Sequence, residues 1–553
     1  MTAFRHRSLA NCIACFLLLH ISGVLKFERL QASELLPADR EISVVVDHYI
    51  GQRLDKDGVE PTALLNDQNT IRRLSLDLAG RIPTAAEVRA YVASTDADKR
   101  RQLVDRLLAS PGYVFHQSNE LHDLLIASLG NDNGYRDYLR DAVRTNRSWD
   151  QMFRDMLLGD PSNDKVKSAT TFLVKRVKDL DTLTNDVSRL FFGVSINCAK
   201  CHDHPLVADW EQRHYYGFQS FFQRTYLTKK NTLAEKYSGR VKFKTTAGEE
   251  LEAQFMFLTG SVVEEPQVEK TKEQLKAEDE EVKRQMKDDK APPPKPVAFS
   301  PRQQLVEQAL QESETHFFSN SIVNRVWARL LGRGLVHPLD QMHSENPPSH
   351  PQLLVWMARD LRNHNYDLRR LIRGIVMSDT YLRSSAWTSA ESPDPELFAV
   401  GVPRVLSPRQ FALSMIIATR NPQRLPADLP AEEWIKRREQ FENQSQGLAG
   451  QLELPSEHFQ VSVDEALYLS NNKQVQDDYL RVADDRLLGH LKSISDATKA
   501  VDAAYWNVLS RSPDEAERKA CLDYLKRRED RPDAAMQQVV WALMTSPEMR
   551  FNY

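Results

Sequence analysis

The sequence predicts a mainly α protein: two helical domains with a small β-hairpin region and a charged, proline-rich linker between them. Three observations carry that expectation. Glycine is scarce at 20 of 553 residues, half the usual ~7%, which disfavours a glycine-rich β architecture. Apolar residues recur at the i, i+3, i+4 spacing of amphipathic helices over most of the chain. Strict alternation is confined to residues 240–258. With 41% hydrophobic and 27% charged residues the composition is that of a chain able to bury a core, which excludes a wholly disordered one.

The first helical domain is read over 40–225. Thr84 and Glu87 follow Pro83 as a capping box, opening a helix to about Ala93. Leu103, Val104, Leu107 and Leu108 share one helical face. Ser148 and Gln151 set a second cap before Phe153, Met156 and Leu157. Leu183, Val187, Leu190 and Phe191 form an apolar stripe that stops at Gly193 and delivers the chain to Cys198.

Residues 226–268 change period. Val241, Phe243 and Thr245 alternate with lysines, Ala253, Phe255 and Phe257 alternate with Glu252, Gln254 and Met256, and Ala247-Gly248-Glu249 lies between. One hairpin is expected, with Met256 facing away from Phe255 and Phe257. In the linker, 269–300, 15 of the 22 residues from Glu269 to Lys290 are charged with both signs mixed, and Pro292, Pro293, Pro294 and Pro296 follow. That composition reads as a solvated helix or a disordered tether with a stiff spacer behind it.

Residues 301–553 return to helix. Phe318, Ile322, Val326 and Leu330 are spaced by four until Gly332 and Gly334. Ser349-His350-Pro351 starts the next helix, and Leu368, Leu371, Ile372, Ile375 and Val376 make a further apolar face. Ser407-Pro408 and Ser512-Pro513 open two more by the cap-then-proline rule. Arg81-Ile82-Pro83 with Glu87 is echoed by Arg511-Ser512-Pro513 with Glu517, which reads as two similar helix starts rather than a repeat.

Residues 1–32 read as a signal peptide or an N-terminal anchor. Arg5 and Arg7 precede an apolar run beginning near Cys12, and Leu30-Gln31-Ala32 ends on a small residue suited to cleavage. Either way the body is expected to be exported, periplasmic or associated with the cell envelope. Contact with a membrane is expected only through an uncleaved N-terminus, because no later segment is a long apolar run.

The chemistry concentrates at Cys198-Ala199-Lys200-Cys201-His202, a C-x-x-C-H motif and the attachment pattern of c-type haem. Two thiols at this spacing can add to the two vinyl groups of one porphyrin, and the adjacent imidazole then serves as proximal iron ligand. At this composition such a match arises by chance roughly 0.001 times in a chain of this length, so the motif carries information. The same residues admit other uses. Cys198, Cys201, His204 and His214 could form a zinc site, the C-x-x-C could close a redox or structural disulfide, or the thiols could be inert. For a sixth iron ligand His204 is too close in sequence to His202, so His214 and Met256 are the reachable candidates, and an open or water-bound iron is the remaining option. A second polar cluster, Asp340, His343, Glu345, Asn346 and His350, reads either as a tight loop or as a metal or acid–base site. Cys521 reads as a buried core thiol.

Several segments together resemble a known family. They are 73–84 (Arg73 to Thr84), 103–111 (Leu103 to Pro111), Asn197-Cys198-Ala199-Lys200-Cys201-His202-Asp203-His204-Pro205, 324–330 (Asn324 to Leu330), 345–351 (Glu345 to Pro351) and 541–548 (Trp541 to Glu548). The chain resembles the large exported planctomycete-type cytochrome-c-like family, in which two domains of unknown function are joined around a CxxCHDHP segment. The resemblance covers about 40–225 and 300–553. It implies a haem-binding, cytochrome-like class without an agreed reaction.

The expected function is therefore an exported haem c-binding electron-transfer protein, with haem c on Cys198 and Cys201, His202 as proximal ligand, and a redox partner protein. The alternative is an exported helical binding or scaffold protein with a zinc site or a CxxC disulfide. A third reading, an extracellular polymer hydrolase using Asp203 and His204 or the 340–350 loop, has no nucleophile elbow, metalloprotease helix or carboxylate pair behind it. Basic and acidic residues nearly balance, 73 against 77, so nucleic acid is excluded as a default partner. Five cysteines exclude a disulfide-dense scaffold.

Overall fold

A computed structural model describes residues 35–126, 134–159, 163–205, 207–267, 270–313, 315–389, 391–452 and 463–553. The leader read at 1–32 lies outside them. The fold is mainly α with small two-stranded antiparallel pairs, as the periodicity requires. No helix among the described residues is long and apolar enough to cross a membrane.

The chain forms two compact units, each assembled from separate stretches. One comprises the described parts of Met1–Arg40, Asp150–Arg325 and Gly334–Tyr366; the other comprises Glu41–Trp149, Val326–Arg333 and Asp367–Tyr553.

The first unit is organised around an aromatic core. Phe153 meets Phe191 and Phe318 at 4.7 Å between ring centroids, and Phe192 meets Phe257 edge-on at 5.3 Å. All five rings are buried, and such tilted and edge-on pairs add about 0.5–1.5 kcal/mol each beyond burial. Phe191 and Phe192 end the Leu180–Phe192 helix, so the core fixes the helix that leads to the cysteine pair.

The alternating segment departs from expectation. Lys242–Lys244 pairs with Glu250–Glu252 around the expected turn, but Phe255–Met256 pairs onward with Val262–Val263, and Thr225–Leu227 pairs with Leu233–Glu235. Among the described residues there are thus three short hairpins in this region rather than one. Phe255, Met256 and Phe257 are all buried, because this two-residue strand is covered on both sides. Met256 lies against Gly217, where an added Cβ would come within 2.5 Å of the Met256 Cβ.

The charged tract forms the Lys272–Lys287 helix, opened by a Thr271 capping box. Val282 is buried with Tyr226 and Ala234, and the Gln285 carbonyl accepts from the Lys229 N–H at 2.8 Å. One side of an otherwise charged helix is therefore seated on the Thr225–Leu227 hairpin.

In the second unit a buried carboxylate, Asp77, gathers four bonds. Arg404 donates from both terminal nitrogens at 2.8 and 2.7 Å, the Tyr381 hydroxyl at 2.6 Å and the Asn552 amide at 2.9 Å. Arg404 and Asn552 also face each other across the Arg404–Val405 and Phe551–Asn552 strand pair, which ties the last residues into the core. Every oxygen of a buried carboxylate must be satisfied, and this set does so.

The Ala85–Ala93 helix carries the expected Thr84–Glu87 capping box. Ser407 caps Pro408–Ala418 as expected. The later start differs: Asp514, not Ser512, caps Glu515–Arg527, because Glu517 lies three residues after Asp514 and closes the box. The two starts are more alike than two unrelated caps need be. Each follows a helix and a left-handed residue, Gly80 (φ 67°) or Ser510 (φ 63°). Each is followed by two helices, Lys99–Ala109 then Pro111–Leu125, and Pro532–Met544 then Pro547–Arg550, the second member capped by a serine, Ser110 or Ser546.

Candidate functional site

The site is built at the end of the Leu180–Phe192 helix. Asp179 caps its start and Gly193, at φ 67°, ends it. The chain then enters a short 3₁₀ turn, Asn197–Lys200. Ala199, the small apolar residue of the motif, is fully buried. Cys198 and Cys201 are exposed free thiols and His202 is exposed beside them. With the alanine anchored inward, the turn presents its chemistry to solvent.

The turn is clamped from two helices. Lys200 donates to Asp181 at 2.6 Å, and Asn185 donates to the Asn197 side chain at 3.0 Å. From the Gln212–Ser220 helix, the Gln212 amide donates to the Cys201 carbonyl at 3.1 Å and the Tyr216 hydroxyl to the Lys200 carbonyl at 3.0 Å. The Gln212 N–H donates to the Asp203 carboxylate at 2.9 Å. Tyr216 is itself stacked on Phe243 at 4.4 Å. Asp181 also accepts from Tyr215 and Gln219, each at 2.8 Å. The Lys200 hydrogen bond holds its carboxyl below the usual range. Burial, and then Asp181, push the Tyr215 hydroxyl up.

His202 Nδ1 lies 2.7 Å from the Asp203 carbonyl. A carbonyl oxygen only accepts, so Nδ1 carries the proton and the lone pair is on Nε2. A metal-ligating histidine is commonly oriented in this way.

The other expected ligands are placed differently. His204 closes its own loop: its N–H donates to the Trp210 carbonyl at 2.7 Å and its Nδ1 accepts from the Val207 N–H at 3.1 Å. His214 is buried, its Nδ1 accepts from the Glu211 N–H at 3.1 Å, and burial lowers its pKa. Met256 is buried against Gly217. Among the described residues no three His, Cys, Asp or Glu side chains form a group able to hold a metal ion, so Cys198, Cys201, His204 and His214 are not gathered as a quartet.

The second polar loop is brought beside this segment. Val194 pairs with Gln341, and the Met342 N–H donates to the Gly193 carbonyl at 3.0 Å. Ser344 donates from its N–H and its hydroxyl to the two oxygens of Asp209, at 2.8 and 2.7 Å. Burial lowers the pKa of His343, opposed by Asp209 and reinforced by His204. Asn346 donates to the Gln341 carbonyl at 2.9 Å, His350 is buried, and Asp340 acts electrostatically on Arg325. These contacts hold a loop.

Asp181, Gln212 and Tyr216 were not singled out in the sequence. Gln212 and Tyr216 had a signal, the i, i+4 spacing that puts both on one helix face. Asp209 and Ser344 are 135 residues apart and had none.

The architecture is that of a mainly α chain carrying an exposed, clamped Cys-x-x-Cys-His turn. Residues 45–226 match the family model described as PSCyt2, a protein of unknown function (DUF1549), and residues 301–451 match PSD1, a protein of unknown function (DUF1553). The chain therefore fuses two domains of unknown function, and the turn falls inside the first. No curated protein and no solved structure matches it.

Proposed function

We propose that this is an exported, cytochrome-like haem c protein that exchanges electrons with a redox partner. One observation carries the reading: a single clamped turn exposes both thiols and an imidazole whose Nδ1 is committed to a carbonyl. These residues fit the group. Cys198 and Cys201 would hold the porphyrin by thioether bonds, and His202 would offer Nε2 to the iron. Bound haem supplies one-electron chemistry, with its potential set by the axial ligands and their surroundings.

The chain's own residues do the positioning. The Asp203 carbonyl fixes the His202 tautomer, and hydrogen bonding at Nδ1 makes the ligand more basic. Gln212 and Tyr216 hold the carbonyls of Lys200 and Cys201, so the thiols are presented from a rigid backbone. Exposure of the turn leaves it open to an attachment enzyme and to a partner. The leader-like N-terminus supports export, where haem c is attached.

The test is an absorption spectrum, oxidised and dithionite-reduced, with a haem stain after a denaturing gel. The full chain would be exported together with cytochrome c maturation machinery. Reduced α and β bands and a stain that survives denaturation, both abolished by Cys198→Ser with Cys201→Ser, are expected. A colourless protein overturns the reading, and metal analysis with thiol counting then separates zinc from a disulfide.

A further inference from the structure

A second charged site lies in the other unit. The segment 420–425, the Ala431–Ala449 helix and Asp485 line an open cavity of about 320 Å³, with Arg420, Arg424, Lys436, Arg437, Glu433 and Asp485 around it and Phe441 among its walls.

The carboxylates in it are oversubscribed. Asp485 is shared by three guanidiniums: Arg420 at 3.0 Å, Arg481 at 3.0 Å and Arg486 at 3.4 Å. Glu433 is taken by Arg437 at 2.9 Å. Arg424 and Lys436 line the same space, are exposed, and make no ion pair among the described residues. Six cations therefore surround two carboxylates, with Asp478 a further attraction at Arg486.

The crowding is held in place by the backbone. The Asn421 N–H donates to the Asp485 carbonyl at 3.1 Å and the Asn421 amide to the Asp484 carbonyl at 2.8 Å, while Arg420 pairs with Arg486 as a β-bridge. Arg420 lies over the Phe441 ring at 5.4 Å. Burial and then the neighbouring Arg486, Arg481 and Arg437 lower the pKa of Arg420, with Asp485 alone opposing them. Like charges brought together at a partly desolvated site repel unless a counter-charge enters.

We propose that this cavity binds a tetrahedral oxyanion, phosphate or sulfate, free or as an ester on a small molecule. Arg420 and Arg437 have guanidinium forks already oriented by carboxylates, and Arg424 and Lys436 supply the unspent charge.

The experiment is isothermal titration calorimetry of the full chain with sodium phosphate and with sodium sulfate, ionic strength being held constant with sodium chloride. Saturable binding to one site is expected for at least one of them. Arg424→Ala with Lys436→Ala should weaken it at least about tenfold, the loss expected of charge-assisted contacts. Circular dichroism confirms that the variant folds, and Lys436→Gln alone replaces it if it does not. Binding of only one anion assigns the site to that ester class, and binding of both assigns it to the shared geometry. Absence of saturable heat with either, or binding unchanged in the variants, overturns the proposal.

Discussion

Arg81 and Arg511 grip their glutamates in the same way. Each donates from both terminal nitrogens to a glutamate six residues on, at 2.8 Å for Glu87 and 2.7 Å for Glu517, and each also donates to the carbonyl of the next residue. Each glutamate in turn accepts from the N–H of its helix cap, Thr84 or Asp514. The two starts therefore share one way of opening a helix, an arginine forked onto the glutamate of the capping box.

The two copies should differ in worth. The Arg81 side chain is 7% exposed, and that of Arg511 is 23% exposed. Arg81→Ala leaves the Glu87 carboxylate, 14% exposed, without its guanidinium and should cost about 3 kcal/mol. Arg511→Ala should cost about 2 kcal/mol, because water can reach Glu517 and Glu548. Urea denaturation of the two variants checks the order, and equal or inverted losses would contradict it.

His116 should make the protein acid-sensitive well above the carboxylate range. Burial, then Arg329 and Arg438, push its pKa down to about 3, against Asp77 nearby. Below the ordinary value of 6.5 the unfolded chain takes up a proton that the folded chain refuses, so stability falls as pH drops from 6.5 towards 3. The total is on the order of 5 kcal/mol. Melting temperatures of wild type and His116→Asn between pH 7 and 5 test this. The variant's curve should be flatter, and parallel curves would exclude His116 as the cause.

Gly80 should be far less tolerant than Gly58. Both are left-handed, at φ 67° and 66°. A Cβ at Gly80 would fall 2.6 Å from His116 Nδ1, whereas at Gly58 nothing lies within 4 Å. Gly58→Ala should cost only the backbone strain, about 1–2 kcal/mol. Gly80→Ala should add about 1–3 kcal/mol of overpacking. Thermal unfolding of the pair gives the comparison, and matching losses would refute the clash.

Asp181 should matter more than its ion pair. Lys200 and Asp181 are 39% and 43% exposed, so Lys200→Ala should cost under about 1 kcal/mol. Asp181→Ala also strands the hydroxyl of fully buried Tyr215 and should cost about 1–3 kcal/mol. Hydrogen exchange at residues 197–204 should rise in the Asp181 variant and stay near wild type in the Lys200 variant. Equal exchange in both would reduce the clamp to the salt bridge.

Much of the fold was legible because its signals are local. Glu87 three residues after Thr84, Gly193 after Phe192, and the four-residue spacing from Phe318 each act within one or two turns of chain. The hairpins were only half legible. Alternation from Ala253 to Phe257 implies one buried face, but a strand covered on both sides loses that rule, and Met256 is buried with its neighbours. The helix at Lys272–Lys287 was one of two readings of a charged tract, and its placement depended on Val282 and Gln285 finding Tyr226. Tyr226 lies far from Gln285 in sequence and donates its hydroxyl to the Gln285 amide oxygen.

By itself the sequence determined the mainly α class, the cap positions set by Thr84 and Ser407, and the Cys198-Ala199-Lys200-Cys201-His202 motif, because each depends on neighbours a few bonds or one helical turn apart. Only the tertiary structure decided that Asp209 holds Ser344, that Asp77 collects Tyr381, Arg404 and Asn552, and that Arg420, Arg481 and Arg486 converge on Asp485. Those pairings join residues that have no periodic relation along the chain. A carboxylate selects among many arginines only when packing has decided which of them it meets.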